Sequence, residues 1–244
     1  MTERLTFRPT IFVTVLTIAV CALFVRLGIW QLHRAAETHR EYEQFVQHTQ
    51  APPVPLQQAE VWQRPAAQLL WRQAELFGRY LTGKEVLLDN QSEQGRAGYI
   101  VFTPFELGDG GPAVLVNRGW RPNPPDRDRV DVPPPSAVAL RIRGIIGPPP
   151  AHGIQLGGAD AVEHLGSDLM RVQLIDTARL SRQLHTDLLP YTVMLDPAAP
   201  DGFARNWRRP GSTEGRNQSY AVQWFAMAAA VAALFIYYNL KRVP

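Results

Sequence analysis

The residues able to do chemistry are few and scattered. Histidine stands at positions 33, 39, 48, 152, 164 and 185, never as HExxH or at another metal-ligand spacing. Cys21 is the single cysteine, so neither an intramolecular disulfide nor a CxxC centre can form. Asp126, Asp128 and Asp131 alternate with Arg127 and Arg129 in a Pro-rich loop. The arginines offset the carboxylates that a hard cation needs, which favours a solvated loop over a metal site. No GxSxG, P-loop or strand-linked GxGxxG is present, and "LTGKE" around Lys84 holds one glycine and reads as a turn. Nothing assembles a nucleophile, base and orienter, so the sequence does not read as an enzyme. The one concentrated feature is "VNRGW", which sets Asn117, Arg118, Gly119 and Trp120 at the end of a strand-like run. Two readings stand side by side. In the structural one, the glycine allows a bulge, Trp120 covers the end of the core and Arg118 satisfies nearby carbonyls. In the functional one, the cluster is a contact surface for a partner or for an anionic group such as a haem propionate.

The elements that must hold these residues are mostly strands. "LWRQAELFGRYL", "EVLLDN", "GYIVFTPFEL", "AVLVNRGW", "ALRIRGIIG", "MRVQLID" and "LPYTVMLD" are short runs rich in Val, Ile, Tyr and Phe with partial period-two alternation. Gly- or Pro-containing turns divide most of them, and "GDGG" at 108–111 is a hairpin signal. "DTARLSRQLH" at 176–185 opens on an N-cap candidate and sets Leu180 and Leu184 four apart, which predicts a short helix. Residues 33–48 alternate basic and acidic side chains at helical spacing and predict a helix continuing from the apolar run before them.

Composition narrows the class. The chain has 244 residues, 45 % of them apolar, and a net charge of only +3. Its arginines are dispersed among acids and form no basic patch, which argues against nucleic acid as a partner. The longest uncharged apolar stretches lie at the two ends, residues 10–25 and 220–238. The second reaches roughly 28 Å as a helix, close to the hydrocarbon thickness of a bilayer. Trp224 at one end and Tyr237 and Tyr238 at the other suit the interfaces. Ala226, Ala229, Ala230 and Ala233 form a small-residue face on which another helix can pack. The first stretch reaches only about 24 Å before Arg26, and becomes long enough if residues 27–32 continue the helix while Arg26 snorkels. A cleaved signal peptide would show a small-x-small site after the run, and "FVRLGIWQL" has none. A lipoprotein anchor at Cys21 would have a small residue before it, where Val20 stands. The expectation is therefore a retained span.

Arg4 and Arg8 precede the first span, and Lys241 and Arg242 follow the second, so both ends are expected in the cytoplasm. The expected organisation is a cytoplasmic tail (1–9), a transmembrane helix (10–32), an extracytoplasmic, periplasmic domain (33–219), a second transmembrane helix (220–238) and a cytoplasmic tail (239–244). The fold class is α+β: two transmembrane helices flanking an antiparallel, β-rich, barrel-like extracytoplasmic domain.

Several stretches in order resemble the Surfeit locus family, the Surf/Shy type of cytochrome c oxidase assembly proteins. They are "LGIWQLHRA" (with Gly28, Trp30, Gln31 and Arg34), "FGRY" (with Gly78 and Tyr80), "LLDNQ…GYIVFTPF", "VLVNRGW-P", "RIRGII" and "YAVQWFAMA" (with Tyr220, Trp224 and Phe225). Singly they are unspecific; together they cover nearly the whole chain. The resemblance implies a membrane-anchored assembly factor that helps mature the catalytic subunit of a haem-copper oxidase. It implies links to haem a, and to haem a synthase as a further partner. In the family a histidine stands three residues before the tyrosine of the second-span motif and is the proposed haem-iron ligand. Here that position is Asn217, and neither Asn217 nor Gln218 is a usual iron ligand. His33 is the nearest spare imidazole by topology. The expectation is assistance through protein contacts, with haem a bound weakly or through a different ligand. A rival from another class is a membrane-tethered periplasmic sensor or scaffold unrelated to oxidase assembly. It predicts an apolar pocket with convergent polar groups in the β domain.

Overall fold

A computed structural model describes residues 4–7, 9–108, 110–126, 130–150, 162–165, 169–207 and 213–243. Arg8, the Arg127–Asp128–Arg129 part of the acidic loop, His152, and Asp109 of the hairpin turn lie outside the described residues. The elements in chain order are β1 (Arg4–Phe7), α1 (Ile11–Gln50), β2 (Val54–Pro55), α2 (Ala59–Trp62), α3 (Ala66–Leu69), β3 (Gln73–Tyr80), β4 (Glu85–Glu93) and β5 (Arg96–Leu107). They continue as β6 (Ala113–Pro122), β7 (Leu140–Gly147), β8 (Val162–His164), β9 (Leu169–Val172), α4 (Thr177–Leu184), β10 (Leu188–Leu195), α5 (Glu214–Asn239) and β11 (Leu240–Val243). They form two units, Met1–Gln44 with Arg208–Pro244, and Phe45–Trp207.

In the second unit, period-two alternation sends one face of each strand inward. Leu76, Tyr80, Phe105, Leu107, Val114, Val116, Ile142, Ile146, Tyr191 and Val193 are all buried in one apolar cluster. The strands surround it in the order β3-β7-β10-β6-β5, and β5 pairs back to β3, so the sheet closes into a barrel of five strands. Closure happens at Gly78, which pairs with both Leu107 and Leu140. A Cβ at Gly78 would overlap the Glu106 carbonyl, so only glycine lets β5 come this close. Beyond this point β4 takes over the same edge of β5, and β9 and β8 extend the sheet from it. Under that extension a second cluster gathers Val86, Phe102, Met170, Ile175, Leu180 and Leu184.

Each of the seven apolar runs read as a strand is one, and the hairpin at 108–111 joins β5 to β6 with Gly108 and Gly110 at positive φ. "LTGKE" is a turn in which Lys84 Nζ donates to the Leu184 carbonyl and Thr186 Oγ1, both at 2.8 Å. The short helix is α4: Asp176 accepts from the Arg179 N–H at 3.0 Å as N-cap, and His185 ends the helix in the left-handed region. The sheet is mixed, however. β10 with β6, β4 with β9 and β2 with β3 are parallel, while the other pairs of the sheet are antiparallel.

In the first unit, α1 and α5 are the two helices long and apolar enough to cross a membrane. α1 runs unbroken through Arg26 and on past residue 32, and α5 begins at Glu214, ahead of the apolar stretch. β1 pairs antiparallel with β11, from Arg4 opposite Val243 to Phe7 opposite Leu240.

Candidate functional site

Two groups of the motif residues come together, one in each unit. On α1, Thr14, Thr17, Cys21, Phe24, Gly28, Gln31, Ala35 and Thr38 are partly or fully buried, with Val20 and Leu27 partly buried beside them. Their alternating spacing of three and four makes a coiled-coil seam. The facing seam of α5 includes Glu214, Asn217, Ala221, Trp224, Phe225 and Ala228. The helices run antiparallel, as three contacts fix: His39 Nδ1 with Glu214 at 3.2 Å, the Gly28 backbone under the Phe225 ring, and Cys21 Sγ 3.6 Å from the Ala228 carbonyl. Phe24 and Trp224 pack with ring centroids 5.6 Å apart. A Cβ on Gly28 would lie 2.7 Å from the Phe225 ring, so glycine sets how closely the helices approach.

Gln31 and Asn217 are therefore seam residues, while Trp30, His33, Arg34 and Tyr220 are exposed. Arg34 is spent on an ion pair with Glu37 at 3.1 Å. His33 lies two residues beyond Gln31, about 200° around the helix, and so leaves from the opposite face of α1. The structure does not bring His33 and Asn217 together. An amide at position 217 is not an iron ligand, and the described residues hold no cluster of three or more His, Cys, Asp or Glu able to bind a metal. Position 217 itself therefore offers no axial haem ligand, and the imidazole facing this end of α5 is that of His39, held by Glu214. The alanine face read from the sequence, Ala226, Ala229, Ala230 and Ala233, is exposed; α1 packs instead against Ala221 and Ala228.

The second group is "VNRGW". Val101 pairs with Gly119 and Phe102 with Asn117, so Arg118 is the extra residue of a β-bulge. Gly119 takes φ +113°, and the Asn117 side chain accepts its N–H at 3.0 Å. The bulge turns Arg118 inward, where it is 1 % exposed. Its Nε donates to the Asp201 carbonyl at 2.7 Å, one terminal nitrogen to the Pro133 carbonyl at 3.0 Å and the other to Thr103 Oγ1 at 3.3 Å. The guanidinium lies 4.8 Å from the centroid of the Phe203 ring and 5.9 Å from that of Tyr80. Burial pulls its pKa below the ordinary arginine value, and Tyr80, Glu85 and Asp201 push it back up. Burial likewise raises the Tyr80 phenol, and brings Tyr191 up to about 12, so both stay neutral. Trp120 exchanges backbone hydrogen bonds with Ala204, and its ring lies over Gly98. Each of the three guanidinium nitrogens of Arg118 donates to a protein oxygen. In this structure the cluster is a clamp that ties the 201–205 segment to the barrel rim.

Sequence reasoning missed a cleft of about 470 Å³ on the outside of β3 and β7. Its lining includes Glu75, Phe77, Arg141, Arg143 and the 198–200 turn. The only signal for it in the sequence is an aromatic at an outward position of a strand whose other outward residues are polar.

Two apolar helices bracketing a small closed barrel define the class of protein. Residues 18–229 match the model of the SURF1 family, and the chain belongs to that family. A SURF1-like protein of Mycobacterium bovis is 38 % identical over 98 residues, 40 % of this chain and 36 % of the relative. Cytochrome oxidase assembly protein SHY1 of Saccharomyces cerevisiae is 28 % identical over 146 residues, covering 52 % of this chain and 33 % of the yeast protein. A SURF1-like protein of Drosophila melanogaster is 26 % identical over 245 residues, 89 % of this chain and 74 % of the relative. The match thus spans about a third of the mycobacterial and yeast relatives.

Proposed function

We propose that this protein is a membrane-anchored assembly factor for a haem-copper oxidase, assisting maturation of the oxidase catalytic subunit. The observation that carries the reading is the family match, which runs from within the first apolar helix through the whole barrel into the second, rather than through one motif. The yeast relative named for cytochrome oxidase assembly supports it. In this reading α1 and α5 cross the bacterial inner membrane, both ends lie in the cytoplasm and the barrel lies in the periplasm. The antiparallel helix pair, with β1 paired to β11, is consistent with both ends on one side. Help is given through protein contacts, with haem a not ligated at Asn217. Haem a synthase is a further candidate contact.

A deletion strain tests the role: oxidase activity and haem a content of the membranes should fall together, and should return with the intact gene. Unchanged oxidase activity would overturn the proposal and favour a sensor or scaffold. Reporter fusions after residue 9 and within the 123–139 loop should report opposite sides of the membrane. The optical spectrum of protein purified from haem a-producing cells addresses the ligand. A stoichiometric six-coordinate haem signal lost in His33→Ala would overturn the contact-only mode.

A further inference from the structure

We infer that the cleft beside β3 and β7 is a docking site for an extended acidic peptide, which adds a strand to the free end of β7. The backbone supplies the first argument. The Arg143 carbonyl accepts the Asp196 N–H at 2.9 Å, so the main-chain groups of Arg143 point away from β3. Hydrogen-bonding direction alternates along an antiparallel strand, so Arg141 points its N–H and C=O the same way. Pairing of β10 with β7 ends at Leu195 opposite Gly144, and the chain then turns, the Ala199 N–H donating to the Asp196 carbonyl at 2.9 Å. Arg141 is left with a donor and an acceptor facing the space that β10 has vacated, and that space is the cleft.

The side chains supply the second argument. Arg143 is paired with Glu75 at 2.6 Å, and Asp196 accepts the Ala198 N–H at 2.7 Å. The Arg141 guanidinium makes no ion pair among the described residues. It stands 5.6 Å from the centroid of Phe77, a residue 41 % exposed. An exposed aromatic and a cation without an ion pair beside open main-chain groups are what a strand-adding ligand uses: backbone bonds for affinity and a pocket for alternate side chains. The residue opposite Arg141 shares its face of the sheet, so a carboxylate there is favoured and a cation disfavoured. Charge also selects the occupant. A second copy pairing through this same edge would set arginine against arginine, so the favoured occupant is a foreign strand with its carboxylate opposite Arg141, away from Glu75 and Asp196 of the lining. This inference does not rest on the oxidase reading, and survives or fails without it.

The test uses the full-length protein in lipid nanodiscs as bait for a displayed library of short random peptides. The expected enrichment is for β-branched segments carrying Asp or Glu. A fluorescent synthetic copy of an enriched peptide should lose about tenfold or more in affinity towards Arg141→Glu. It should lose affinity towards Phe77→Ala, and when its alternate backbone amides are N-methylated. Arg141→Gln, which keeps the polarity, serves if the charge reversal lowers the melting temperature. Enrichment of basic or neutral peptides, or none, would overturn the proposal. So would affinity indifferent to Arg141, or tolerance of N-methylation, which would make the cleft a site for a carboxylate alone.

Discussion

Arg118 sits where a cation is expensive to keep, and its value lies in what it saves. Replacing it with leucine leaves the Asp201 and Pro133 carbonyls without their donor. Each buried group stranded in this way costs on the order of 1–3 kcal/mol. Arg118→Leu should therefore lower barrel stability by about 3 kcal/mol, read as a depressed melting temperature in detergent. Arg118→Lys should recover only part of it, since an ammonium cannot present the same planar fork. His39 behaves differently because it is exposed. The hydrogen bond to Glu214 is the main cause that raises its pKa above 6.5, followed by the charges of Glu214 and Glu43. A folded value above the unfolded one stabilises the protonated form. The contribution is therefore complete below 6.5 and fades as the pH rises through the raised value. The wild-type helix pair should loosen as the pH climbs through that raised value, and His39→Gln should flatten that slope. An unchanged slope in the variant would assign the pH dependence elsewhere.

At the scale of elements, the helix pair can be tested with the chain's own thiol. Cys21 lies against the Ala228 carbonyl, so Ala228→Cys should form an intramolecular disulfide with Cys21 under mild oxidation, seen as a mobility shift that reductant reverses. Adding Gly28→Leu drives a branched side chain into the Phe225 ring and should cut the yield several-fold. Equal yield would mean that glycine does not set the helix approach. How much of this was legible beforehand differs by element. Strands, the 108–111 hairpin and α4 were readable because each is declared by local signals: alternation, paired glycines, an Asp N-cap. The bulge at Arg118 was foreseeable from Gly119 inside a strand pattern. The parallel pairing of β10 with β6 was not, because it joins segments far apart in the chain and leaves no local mark. The seam of α1 was hidden for another reason. Its residues, from Thr14 to Thr38, are no more apolar than those around them, since a span is apolar on every side. The cleft escaped because it is made by a strand that stops early, which is a matter of register and not of residue type.

For the whole molecule, the exposed alanine face of α5 separates folding from partnership. Ala229 lies off the seam, exposed. Ala229→Glu should therefore leave the engineered disulfide between the two helices intact while disturbing contact with any third helix in the membrane. Loss of that cross-link would instead show that the face serves the pair itself. The order of strands carries a last consequence. β10 lies between β6 and β7 and is the final strand of the barrel to be synthesised. Until residues 188–195 emerge from the ribosome, both neighbours present raw edges and the cylinder stands open along one side. No cystine can hold it shut meanwhile, as the chain has one cysteine only. The nascent protein must therefore pass through a stage with sticky, unzipped margins, and it is there that a holding chaperone would matter and truncation before β10 would send the product to aggregates.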